Sequence, residues 1–174
     1  MFEVARVWGT MPEERARSYP CDRLLERADD AYWRGVSVNA EPAVVFRWLC
    51  QLRVAPYSYD WIDNLGRRSP RTLTPGVEQV SVGDRFMTIF DLVEFETDRH
   101  LTMRLRRGTI FPDLALSYVV VPTPGAPSRL IMKFVTTYPS GLGGRLQRWL
   151  LPWGDLVMAR RQLLNLRDLA EGRP

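Results

Sequence analysis

Lysine is almost missing from this sequence. Of its 24 cationic side chains 23 are arginine, and Lys133 is the single lysine. Arginine suits planar carboxylate and phosphate partners, yet no basic run reaches the roughly five to eight residues of a dedicated nucleic-acid patch. His100 is the only histidine, which excludes sites built on two or more histidines, most zinc centres among them. The two cysteines, Cys21 and Cys50, stand 29 positions apart. They are too few for a disulfide framework and lack metal-ligand spacing, so reduced thiols are expected. Neither a Gly-rich phosphate loop nor a G-x-S-x-G elbow occurs. Apolar runs such as Ala43–Phe46 and Tyr118–Val121 fall far short of the roughly 20 residues of a membrane span. Glu3, Glu13 and Glu14 interrupt the N-terminal stretch where a signal peptide would be apolar. These absences lead us to expect a cytoplasmic protein with no cofactor, no metal, no nucleic-acid partner and no transmembrane segment.

What remains is an ordinary globular composition. The 174 residues are 45% hydrophobic and 25% charged, with a net charge of +4, within the range of a single domain. Arg99, Arg104, Arg106 and Arg107 form an acid-free stretch at 99–107, and Arg67, Arg68 and Arg71 form another. Those stretches admit one reading as an interaction module with a basic surface.

Residues 1–30 read as a polar lead-in and 31–174 as one domain. Met11-Pro12-Glu13-Glu14 opens a short helix, and Tyr32–Asn39 has the aromatic and β-branched content of a strand. A helix follows from Pro42, with Val45, Trp48, Leu49 and Leu52 on one face. A second short helix is expected after Pro56, within 54–64. Strands follow at Arg85–Glu96, Leu101–Arg107, Leu114–Val121 and Arg129–Tyr138, the last two joined by a loop with Pro122, Pro124 and Pro127. A long helix over Arg145–Ala170 closes the chain, with a kink or late start at Pro152. A curved antiparallel sheet has one face to bury, and only that helix is large enough to cover it.

Strand alternation then assigns faces. Met87, Ile89, Val93 and Phe95 would share an inward face with Leu101, Met103 and Leu105, Glu94 lying opposite Arg104 on the outside. In the last hairpin the inward set is even-numbered: Leu116, Tyr118 and Val120 against Leu130, Met132, Phe134, Thr136 and Tyr138. Asp91 falls between Ile89 and Val93, so it is expected as an inward carboxylate, costly unless paired or protonated. That makes it the candidate catalytic residue, against the plainer alternatives of a structural ion pair or a bulge. Tyr57, Tyr59 and Trp61 crowd the second helix, and Trp149 and Trp153 lie on the last. His100, at a turn, is expected to face solvent.

The strand-then-helix segment VSVNAEPAVVFRWLCQL (36–52), with Ala40-Glu41-Pro42 leading into the helix, resembles the opening of the SRPBCC or START-like superfamily, the birch-allergen-like helix-grip proteins that include polyketide cyclase/dehydrase-like members. LRVAPYSYDWIDNLGRRSPR (52–71) looks like a stretch of uncharacterised actinobacterial members, and GGRLQRWLLPWGDLVMARRQLLNL (143–166) fits the gripping helix. The resemblance, covering roughly 31–170, implies an α+β helix-grip fold, a sheet of about seven strands wrapped around the C-terminal helix with a deep cavity between. It also implies a lipid-, polyketide- or sterol-like ligand. Strand parity and aromatic content then place a small hydrophobic molecule, with or without an anionic group met by an arginine, against Tyr57, Tyr59, Trp61, Met87, Met103, Tyr118, Met132, Phe134 and Trp153, in a monomer or homodimer. The alternative is a cyclase or dehydratase using Asp91.

Overall fold

The computed structural model describes residues 2–63, 66–106, 108, 112–123 and 125–173. Asn64, Arg107 and Pro124, assigned above to the second helix, a strand and the proline loop, lie outside them. Strands β1 (Val7–Trp8), β2 (Asp30–Val38), β3 (Arg85–Phe86), β4 (Phe90–Glu96), β5 (His100–Leu105), β6 (Leu114–Val121) and β7 (Ser128–Thr136) form one curved sheet in the order β1-β2-β7-β6-β5-β4-β3. All neighbours are antiparallel except β1, which runs parallel to β2. Helices α1 (Phe2–Arg6), α2 (Pro12–Arg15), α3 (Pro42–Cys50), α4 (Asp60–Asp63) and the 29-residue α5 (Leu142–Ala170) complete the chain. The architecture is α+β, a seven-stranded sheet with a long C-terminal helix across it.

The sheet buries both faces. Its concave face supplies Tyr32, Val36, Leu92, Met103, Leu116, Tyr118, Leu130, Met132 and Phe134 to the main core, roofed by α3 and by Ala159, Leu163 and Leu166 of α5. Val45, Trp48, Leu49 and Leu52 are buried there, as their helical spacing predicts. The convex face carries a second, smaller cluster in which Tyr19, Cys21 and Leu25 cover Ala115, Ile131 and Val135. This explains why β6 is apolar at every position but Ser117 and why Leu130–Met132 and Phe134–Val135 of β7 run apolar without alternation: a strand covered on both faces loses its alternation.

Lys133, the lone lysine, is buried on that convex face. Its ammonium lies 2.6 Å from Asp22 and about 5 Å over the rings of Tyr19 (5.2 Å) and Trp33 (5.0 Å). Arg129 grips both carboxylate oxygens of Glu14 at 2.7 and 2.9 Å and donates to the Gly9 carbonyl. The lead-in is therefore fastened to the sheet.

Two expectations are corrected. The stretch Arg85–Glu96 is not one strand: Met87 (φ 44°) and Thr88 (φ 68°) turn it back on itself, and β3 pairs with β4. Within β4 the register shifts between Leu92 and Glu94. Phe95 lies opposite Leu101, but beyond the bulge the inward residues are Leu92 (opposite Met103) and Phe90 (opposite Leu105). One extra residue reverses the parity of the strand, so Glu94 meets Thr102, and Arg104 meets Asp91. The even-numbered inward set of the last hairpin agrees with the structure.

Candidate functional site

After a 3-10 turn at Gln51–Arg53, residues 54–59 lead to α4 without regular structure, and side chains hold this stretch in place. Gln51 donates to Thr74 Oγ1 and accepts from the Thr74 amide, both at 3.0 Å. Tyr57 sits at φ 58°, the left-handed region that non-glycine residues seldom occupy. Two polar residues of α5 stabilise that bend: Gln162 Nε2 donates to the Pro56 carbonyl at 2.6 Å and Asn165 Nδ2 to the Tyr57 carbonyl at 2.8 Å. From the sheet floor, the Tyr118 hydroxyl donates to Gln162 Oε1 at 2.5 Å. Burial pushes the Tyr118 phenol far up, so it remains a proton donor. One glutamine thus ties loop, helix and sheet together.

Outside this knot, between residues 57–61 and 69–71 on one side and the C-terminal half of α5 on the other, lies a cleft of about 490 Å³. Tyr57, Tyr59 and Trp61 supply its aromatic wall and Arg71, Arg161, Asn165 and Asp168 its polar one. Trp61 is 75% exposed, whereas Tyr57 is buried, donates to the Pro70 carbonyl at 2.6 Å and has its pKa raised by burial to about 12. Asp60 accepts from the Ser69 amide (2.9 Å) and hydroxyl (2.5 Å), tying α4 to the stretch that carries Arg71. Asp168 is engaged by Arg167 at 2.7 Å. Among the described residues neither Arg71 nor Arg161 enters an ion pair, so the cleft presents two open guanidinium groups beside an exposed indole.

A larger groove of about 700 Å³ lies between the lead-in and β4–β6. Its charges largely neutralise one another: Arg23 meets Glu94 at 2.7 Å and Arg99 meets Glu96 at 3.4 Å. His100 lines it but is only 9% exposed, correcting the solvent-facing expectation. Pairing with Val119 places it inside the sheet at the start of β5, and burial lowers its pKa.

The residues singled out from sequence divide into four groups. Tyr57, Tyr59 and Trp61 come together in the cleft. Met103, Tyr118, Met132 and Phe134 form the concave wall of the main core, with Met87 packed against it and its sulfur 3.3 Å from Gln162. Trp153 belongs to neither, being exposed on α5 away from the core. Asp91 is on the outer face, 43% exposed and 3.4 Å from Arg106, which corrects its inward placement. Sequence reasoning missed Gln162, Asn165 and Arg161, and read Arg71 only as part of a basic surface stretch. Gln162 did carry a signal, a polar residue among Ala159, Leu163 and Leu166 on the buried side of a helix.

A sheet gripping a long C-terminal helix is the arrangement of the helix-grip proteins. No family model matches the chain, and no curated protein matches its sequence. Solved structures do resemble it. The hypothetical protein jhp0584 from Helicobacter pylori is 13% identical and covers 92% of this chain and 98% of its own, with a TM-score of 0.56. Protein MLL2253 from Mesorhizobium loti is 16% identical over 83% of this chain and 99% of its own, TM-score 0.53. The di-domain ARO/CYC BexL from the BE-7585A biosynthetic pathway is 15% identical over 83% of this chain, TM-score 0.52. This chain spans about half (51%) of the BexL chain. At such identities the likeness is one of fold.

Proposed function

We propose that the chain binds a small molecule with an aromatic or otherwise apolar body and an anionic group, seated in the cleft between residues 57–61 and 69–71 and α5. The observation carrying this reading is the pairing of the aromatic wall, Tyr57, Tyr59 and Trp61, with the two open cations Arg71 and Arg161. A volume of about 490 Å³ suits a small organic ligand, for which concave sites of roughly 300–1,000 Å³ are usual. The rings offer stacking area, and guanidinium forks match carboxylate, sulfonate or phosphate oxygens. The SRPBCC-like fold, shared with an ARO/CYC protein of a biosynthetic pathway, supports a hydrophobic ligand of polyketide or lipid character. Asp91 plays no part in this reading, because it faces away from the cleft.

1-Anilinonaphthalene-8-sulfonate, an aromatic anion, tests it by fluorescence titration. Trp61→Ala and the double variant Arg71→Ala/Arg161→Ala should each weaken binding about fivefold or more, about 1 kcal/mol, with melting temperatures unchanged. The uncharged N-phenyl-1-naphthylamine should lose affinity only with Trp61→Ala. Affinities indifferent to all of these variants would remove the cleft as the binding site.

A further inference from the structure

The first half of α5 carries an apolar face that the fold leaves uncovered. Leu142, Leu146, Trp149, Trp153 and Val157 follow one another at steps of four, three, four and four residues, with Leu150 beside them. That spacing keeps them on one side of a helix over about 22 Å. They are 39% to 82% exposed. The apolar core residues Ala159, Leu163 and Leu166 belong to the second half, and the buried residues of the first half, Gly144 and Pro152, lie off this stripe on the helix's other side. Six large apolar side chains in a continuous stripe are not the scattered exposure usual for a surface.

The charge on this segment has one sign. Arg145, Arg148, Arg160 and Arg161 are exposed, and the only acid between 142 and 167 is Asp155, committed to Arg34 at 2.7 Å. Arg148 leans on Asp29 (3.4 Å) and over Tyr138, and Arg160 over Trp8. A second copy packed about a two-fold axis along this face would set arginines against arginines, since such an interface must complement itself. An anionic lipid surface supplies the missing charge, an acyl layer for the leucines and the headgroup depth that tryptophan prefers.

We infer that residues 142–161 of α5 form a docking face for an anionic lipid bilayer. Val157 stands one turn before Arg161, so the docked stripe runs up to the rim of the cleft without depending on what the cleft binds. The test is co-flotation of the full chain with vesicles of phosphatidylcholine alone and of phosphatidylcholine with one-quarter phosphatidylglycerol. Partitioning should favour the anionic vesicles about tenfold or more and fall with salt. Leu146→Glu/Trp149→Glu should abolish it, and Arg145→Glu/Arg161→Glu should reduce it about tenfold or more. Circular dichroism melts should match wild type, because all four side chains are exposed. Equal binding to both vesicles, or indifference to the variants, overturns the inference. So does a chain that ignores vesicles but forms dimers by light scattering that Leu146→Glu/Trp149→Glu splits, which assigns the stripe to a second copy.

Discussion

Arg34 lies in β2 between Tyr32 and Val36, and alternation turns all three side chains toward the main core. Its side chain is fully buried. The guanidinium meets Asp155 at 2.7 Å and the Ala5 carbonyl at 2.8 Å, and stacks 5.6 Å from the Tyr32 ring centre. Burial lowers the Arg34 pKa and raises that of Asp155, and each charge opposes the shift of the other. The pair is therefore bound to act as a unit, since either ion alone would be a charge held out of water. Asp155→Ala should cost about 3–5 kcal/mol in urea-induced unfolding, whereas Arg34→Met/Asp155→Leu should stand close to wild type. A single-variant loss below about 1 kcal/mol, the scale of a surface ion pair, would mean that water reaches the guanidinium. The same inward-charge argument that singled out Asp91 applies to Arg34, and here the strand is unbroken, so the alternation holds. Asp91 misled because nothing in its own residue type reveals a bulge two positions away.

At the scale of elements, legibility followed local chemistry. Pro42 and the apolar spacing of Val45, Trp48 and Leu49 specify α3 directly, and Asp98, at φ 61°, is a residue type that tolerates the turn between β4 and β5. The turn between β3 and β4 has no such marker: Met87 and Thr88 occupy left-handed conformations without glycine or asparagine. Packing of Met87 against Gln162 and the core favours that turn, and packing across 75 residues cannot be read from neighbours in sequence. The start of α5 offers a sharp test. Alanine for glycine inside a helix ordinarily stabilises by up to about 1 kcal/mol. Gly154 has open space where a Cβ would stand, so Gly154→Ala should follow that rule. At Gly144 a Cβ would fall 1.7 Å from the Pro139 carbonyl oxygen. Gly144→Ala should therefore destabilise by about 1–3 kcal/mol, the range for overpacking. Thermal melts of the two variants should move in opposite directions, and a stabilised Gly144→Ala would mean that the β7–α5 junction is loose.

For the whole molecule, the sheet separates a large core under α3 and α5 from a thin cover on the convex face. The sequence shows the strands that make both faces apolar, but the lead-in reads as polar because it supplies few anchors. Those anchors are Tyr19, Cys21 and Leu25, secured by Lys133–Asp22, Arg129–Glu14 and the Cys21 amide on Ser117 Oγ at 2.9 Å. A small cluster on short elements should open at lower free energy than the main core. The two cysteines report on the two layers. Cys21 belongs to the cover and Cys50 to α3 in the core, and burial raises their thiols to about 11 and about 12. Neither reacts until its layer opens, because the thiolate is the nucleophile. With each cysteine isolated by Cys→Ser at the other, Cys21 should be labelled by a disulfide reagent about tenfold faster or more, about 1.4 kcal/mol of opening free energy. Its rate should depend only weakly on urea, while that of Cys50 follows global unfolding with its steep dependence. Asp22→Ala should accelerate Cys21 further and leave Cys50 unchanged. Matching rates and urea slopes at the two thiols would instead make the lead-in one cooperative unit with the sheet.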